Sequence, residues 1–177
     1  EEYHGVQLAT LAQSGVDCVE ALTFNSVAEA IGVARAAARV NLPLGISFML
    51  DGSSGRLRSG PTLREAIEAT DHEAGDARPD FYGINCSHPF EFENALEPGD
   101  WIQRVRMLRP NASAKEKIEL CQIGHLEEGD PQQLGELMGG LARRYPHIDI
   151  WGGCCGTWDK HLGQIADHVT RAGTPAQ

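Results

Sequence analysis

Short apolar runs alternate with longer amphipathic ones along this chain, and that alternation limits the fold more than any other feature. Residues 15–24 (GVDCVEALTF) read as a strand running into a loop. Residues 26–40 follow, with Val27, Ala30, Ile31, Ala34, Ala37 and Ala38 at the i, i+3, i+4, i+7 spacing of one helix face. Further strands are predicted at 44–49, 81–86, 105–109 and 148–151. The turn-rich DGSSGRLRSG at 51–60 reads as a loop over a cleft, since it lacks the GK[ST] of a phosphate loop. Helices are predicted over the first fourteen residues, near 62–70, from Asp130-Pro131 onward, and from about Trp158 to Arg171 with Thr157 as cap. Such an order implies an α/β protein with a parallel sheet and right-handed crossovers. Its spacing of about 33 residues per unit is near the ~30 of an eight-fold β/α (TIM-type) barrel. A five-stranded flavodoxin-like sheet has the same periodicity, so both architectures stand at this point.

Length and charge narrow the function. The 177 residues suit one domain, 1–177, with a core of its own. Against 25 Asp+Glu stand only 15 Lys+Arg, a formal charge of −10, which argues against nucleic acid or an anionic membrane as partner. No apolar run approaches the ~18–20 residues of a membrane helix, and the N-terminus lacks the basic start and apolar centre of a signal peptide. Five cysteines are too few and odd in number for a disulfide scaffold, which points to a reducing, cytoplasmic protein. The chain opens at Glu1, inside a predicted helix.

Two motifs could carry chemistry. Gly152–Thr157 (GGCCGT) follows the last predicted strand, at the end where β/α folds build their sites. Adjacent cysteines on a regular strand point to opposite faces, so Cys154 and Cys155 can share one ion only if the chain turns sharply, as the flanking glycines permit. The plainer reading is two small buried residues in a turn. The second motif, GINCSHP at 83–89, also ends a predicted strand, and its Cys86 precedes Cys154 by 68 residues. That separation rules out a local zinc finger, but strand ends of a parallel sheet lie close together. Three thiolates with a free fourth position make a catalytic zinc site, whereas His88 as fourth ligand would close it into a structural one; His88 reads first as a loop residue that packs or lines the cleft. Cys18 reads as a small core residue and Cys121 as having no role. His4, His72, His125, His147, His161 and His168 read as solvated surface.

At these residues the sequence resembles the homocysteine S-methyltransferase family. That family's zinc cysteines come as one in a G-[VI]-N-C segment and two in G-G-C-C-G-T, matched here at Gly83–Cys86 and Gly152–Thr157. Ile46–Phe48, Gly55–Gly60 and the HxxQxxxLxxxGVD pattern at His4–Asp17 extend the likeness over nearly the whole chain. The resemblance implies Zn²⁺ held by Cys86, Cys154 and Cys155. It also implies methyl transfer from a sulfonium or ammonium donor, S-methylmethionine or S-adenosylmethionine, to the thiol of homocysteine. Glu20, Thr23, Asn85 and Ser87 are the expected substrate contacts. Leu22 stands where family members carry a glutamate for the substrate amino group, with Glu20 two residues earlier on the same face. The family fold is a (β/α)8 barrel, of which this chain would form about the last five units. Its expected partners are a small-molecule thiol, a methyl donor and the N-terminal half of the barrel, with a homo-oligomer left open.

Overall fold

The computed structural model describes residues 1–177 except 53, 116–118, 120, 121, 123 and 174–177; Cys121 therefore lies outside the described residues. Helix α1 (Glu2–Gln13) leads into β1 (Val19–Phe24), α2 (Val27–Arg39) and β2 (Leu44–Phe48). A small antiparallel pair follows, β3 (Leu50–Asp51) with β4 (Arg56–Leu57), then α3 (Leu63–Ala74) and β5 (Phe81–Asn85). After the single turn α4 (Pro89–Phe92) come β6 (Val105–Arg109), α5 (Pro131–Arg144), β7 (Ile150–Trp151) and α6 (Asp159–Gly173).

Local chemistry explains most of the boundaries. Ser26 caps α2 by accepting from the Glu29 amide, and Thr62 with Glu65 forms a reciprocal capping box on α3. Asp130 accepts from the Gln132 and Gln133 amides ahead of Pro131, whose missing N–H costs nothing at the first helical position. The buried face of α2 is Ala30, Val33, Ala34, Ala36 and Ala37, rotated slightly from the predicted stripe so that Ala38 is exposed. Small residues there let α2 pack closely on its neighbours.

The main sheet runs β1-β2-β5-β6-β7, every pairing parallel. Its long strands succeed one another in chain order with no reversal, whereas a flavodoxin-like sheet must reverse at its switch point. The flavodoxin-like alternative is therefore corrected. Right-handed crossovers stepping always in one direction put the helices on one face. The core lies between them and the sheet: β2 is buried along its whole length, with Ile46 and Phe48 wholly enclosed. Low in the sheet, Arg104 pairs with Asp71 at 2.9 Å and also donates to the Pro79 and Asp80 carbonyls. The Tyr82 hydroxyl donates to the same Asp71, and burial beside that carboxylate drives the phenol's pKa far up. Among the described residues no helix is long and apolar enough to cross a membrane.

Several sequence expectations change. The first strand starts at Val19 rather than 15, because Gly15 turns with φ +79°, and Cys18 is exposed ahead of the strand instead of in the core. The last strand shortens to Ile150–Trp151, since the Ile148 amide is engaged by Tyr145 in a turn. The predicted loop at 51–60 contains β4, held where the Leu57 amide donates to Pro61. His161 is fully buried rather than solvated. Its Nδ1 accepts from the Trp158 amide and its Nε2 donates to the Glu128 carbonyl at 2.6 Å, which defines a neutral tautomer. Trp158 thus precedes α6 in the cap position, and the Thr157 hydroxyl turns back to the Cys154 carbonyl at 2.7 Å.

Candidate metal centre

The C-terminal ends of β1, β5, β6 and β7 meet at one place, and each contributes a different part of it. After β5 the chain leaves the sheet at Cys86, whose φ of +54° is one of three positive values on non-glycine residues among those described. After β7 it enters the Gly152–Gly156 turn. The segment following β6 ties these two exits together. The Arg109 carbonyl accepts from the Cys86 amide at 3.3 Å, and the Pro110 carbonyl accepts from the Cys154 amide at 2.8 Å. Asn111 Oδ1 accepts from the Cys155 amide at 3.2 Å, while the Ala112 amide donates to the Cys155 carbonyl at 2.9 Å. Hydrogen bonds with the Arg109–Ala112 segment, three of them backbone to backbone and one to the Asn111 side chain, therefore place the cysteines.

The three sulfurs come within 4.8 Å of one another. Cys86 and Cys155 Sγ are 3.9 Å apart, near the ~3.8 Å that two thiolates subtend on a tetrahedral zinc with ~2.3 Å bonds. The Cys86 and Cys154 sulfurs touch, with Cα atoms 5.5 Å apart, so either a metal or a disulfide suits that pair. Among the described residues no histidine or carboxylate joins the cluster within the same distance. His88 instead caps α4: its Nδ1 accepts from the Phe90 amide at 3.3 Å, and burial pushes its pKa down to about 4. An all-sulfur donor set of three fits zinc, with Cys155 exposed toward solvent.

Asn85 organises the surroundings. Only 1% exposed, it uses its whole amide. Oδ1 accepts from the Thr23 amide at 2.8 Å and the Ser47 hydroxyl at 2.6 Å; Nδ2 donates to Thr23 Oγ1 at 2.8 Å and faces Cys154 Sγ at 3.8 Å. This grip holds Thr23 at φ +67°, in an irregularity of the β1–β2 register, a conformation costly for a β-branched residue. Thr23 is exposed and its hydroxyl lies 4.0 Å from Cys86 Sγ. Replacing Asn85 with Leu is expected to destabilise the protein by about 1.5–3 kcal/mol, because it orphans buried partners. Zinc affinity should fall about 10–100-fold in the same variant, by loss of ligand orientation. Urea unfolding and chelator competition measure the two; unchanged zinc affinity would exclude a role for Asn85 at the metal.

Of the predicted substrate contacts, then, Asn85 is enclosed within the scaffold. Ser87 is also wholly buried, its hydroxyl exchanging two 3.1 Å bonds with the Leu50 backbone at the hairpin. Glu20 pairs with Arg109 at 2.7 Å, and Leu22 is exposed. Thr23 alone of the four stands open beside the sulfurs. A cavity of about 440 Å³ adjoins them, lined by Cys86, Cys155, Met49, Arg58, Asn111 and Leu126 among others. Asn111 and Arg58 were not singled out from the sequence. An Asn directly after Pro110, at a strand's C-terminal end, was the available signal for the first; Arg58 offered none.

Residues 1–169 match the family model described as homocysteine S-methyltransferase.

Proposed function

Because this chain belongs to the homocysteine S-methyltransferase family, we infer that Cys86, Cys154 and Cys155 hold a zinc ion at which a thiol, homocysteine, is methylated to a thioether, methionine. The observation that carries this reading is the cluster of three sulfurs, without a fourth protein donor among the described residues, at the edge of a cavity. A bound zinc ion would keep the substrate's sulfur as a nucleophilic thiolate near neutral pH, where a free thiol of pKa ≈ 8.5 is mostly protonated. The chain's own groups do the rest. Cys86 and Cys155 line the cavity, so a zinc ion held by these cysteines would be within reach of a thiol entering that space. Asn85 and Thr23 hold hydrogen-bond donors toward Cys154 and Cys86, which orients these ligands.

In the transfer, the thiolate sulfur attacks the methyl carbon in line. The new C–S bond forms as the donor's bond to that carbon breaks, and the donor leaves neutral. A cationic sulfonium such as S-methylmethionine or S-adenosylmethionine suits a protein of charge −10. Glu20 and Thr23 are the proposed groups for the substrate amine and its neighbourhood, Glu20 exchanging its Arg109 partner for the ammonium. The chain-order parallel sheet supports assignment to part of a (β/α)8 barrel, with the remaining strands supplied from outside these 177 residues. Methionine formation by the full-length zinc-loaded protein, with each sulfonium as donor, tests the function. Zinc-loaded protein that methylates another thiol but not homocysteine would keep the chemistry and reject the substrate.

A further inference from the structure

The cavity beside Cys86 and Cys155 is lined by an exposed arginine, Arg58, on the segment after β4, whose guanidinium has no hydrogen-bond or ion-pair partner among the described residues. The other charged groups on its walls are engaged. Glu127 pairs with Lys115 at 2.5 Å and with His125 at 3.2 Å, and those partners hold its pKa below the usual carboxylate range. Arg56, two residues before Arg58, donates to the Gly60 carbonyl at 2.9 Å. Met49 and Leu126 add apolar wall to the cavity, and the volume of about 440 Å³ suits a ligand of amino-acid size.

An unpaired cation in this place bears on the methyl donor. A sulfonium or ammonium entering the cavity would meet Arg58 as a like charge unless the ligand carried an anion of its own. A carboxylate accepts two parallel bonds from a guanidinium, which gives direction as well as attraction. We propose that Arg58 is a specificity-determining residue that binds a carboxylate, so that this cavity takes carboxylate-bearing ligands with the reacting sulfur toward Cys86 and Cys155. The proposal rests on the methyl-transfer reading above. The carboxylate belongs either to the sulfonium donor or to the thiol acceptor, and matched ligands separate the two.

Calorimetric binding to zinc-loaded full-length protein is the test, with wild type, Arg58→Gln and Arg58→Lys compared at equal zinc content. The donor pair is S-methylmethionine against (3-aminopropyl)dimethylsulfonium; the acceptor pair is homocysteine against 3-aminopropanethiol. Each pair differs only by the carboxylate. In one pair, Arg58→Gln is expected to weaken the carboxylate ligand about 10–100-fold, the size of a lost hydrogen bond to a charged group. Its partner's affinity should not change, and Arg58→Lys should recover part of the loss. The affected pair identifies which substrate Arg58 holds. Equal weakening of both members would mean that Arg58 only offsets the thiolate charge, and would overturn the proposal, as would binding indifferent to Arg58. Wild-type protein that binds no ligand of either pair would refute the methyl-transfer reading and this proposal together.

Discussion

Serine at both Cys154 and Cys155 is expected to leave the full-length protein with almost no bound zinc and no measurable methyl transfer. A structural or catalytic zinc is held by the combined strength of its thiolates, and each must be deprotonated to bind. Removing two of three sulfurs leaves Cys86 alone, and among the described residues no histidine or carboxylate stands within reach to replace them. The hydroxyl of serine does not ionise near neutral pH and is a poor ligand for this metal. Single replacements at Cys86, Cys154 or Cys155 should lower zinc affinity by more than about a hundredfold, beyond the 10–100-fold typical of outer-shell changes. Metal analysis after purification without chelator, beside circular dichroism to confirm folding, gives the result. Full zinc occupancy in the double variant would remove the site from consideration.

Gly156→Ala should weaken both the fold and the metal centre without touching a ligand. Gly156 has φ +77°, and a Cβ there would lie 2.2 Å from the Glu127 carbonyl oxygen and 3.2 Å from Ala112 Cβ. The left-handed backbone and the clash with main chain together cost about 2–3 kcal/mol. For a chain of this size that lowers the melting temperature by roughly 4–12 °C. Relief has few routes, because the 125–129 segment is fastened from behind. His161 donates to the Glu128 carbonyl, Lys160 pairs with the Glu128 carboxylate, and Lys115 holds Glu127. The turn itself must then move, taking Cys155 off its bond to Asn111 and weakening zinc binding about tenfold or more. Calorimetric melting with and without zinc reads both effects. An unchanged melting temperature would mean that the 125–129 segment yields easily and does not brace the turn.

Some of this protein could be read directly from its residues, because some of its structure is decided within short segments. The alternation of strands and helices held, since backbone geometry sets the periods of 2 and 3.6 and caps such as Ser26, Thr62 and Asp130 act across three or four residues. The two cysteine motifs were legible for the same reason: each sits at a strand end that its own glycines and flanking residues specify. What sequence could not decide was anything that depends on register between strands far apart in the chain. The choice between a reversing and a chain-order sheet came only with the pairing of β1 to β2 and of β6 to β7. Asn85 became an enclosed bracket because β1 and β2 bring Thr23 and Ser47 to its amide, and Glu20 became half of an ion pair because Arg109 ends β6. The sequence by itself determined which residues could ligate a metal and that each lies after a strand. Only the tertiary structure decided that three sulfurs separated by up to 69 residues share one space and that Arg58 looks into it. Ligand identity is written in side-chain chemistry, whereas convergence is fixed by hydrogen bonds between distant backbones, such as those the Arg109–Ala112 segment makes to both cysteine loops.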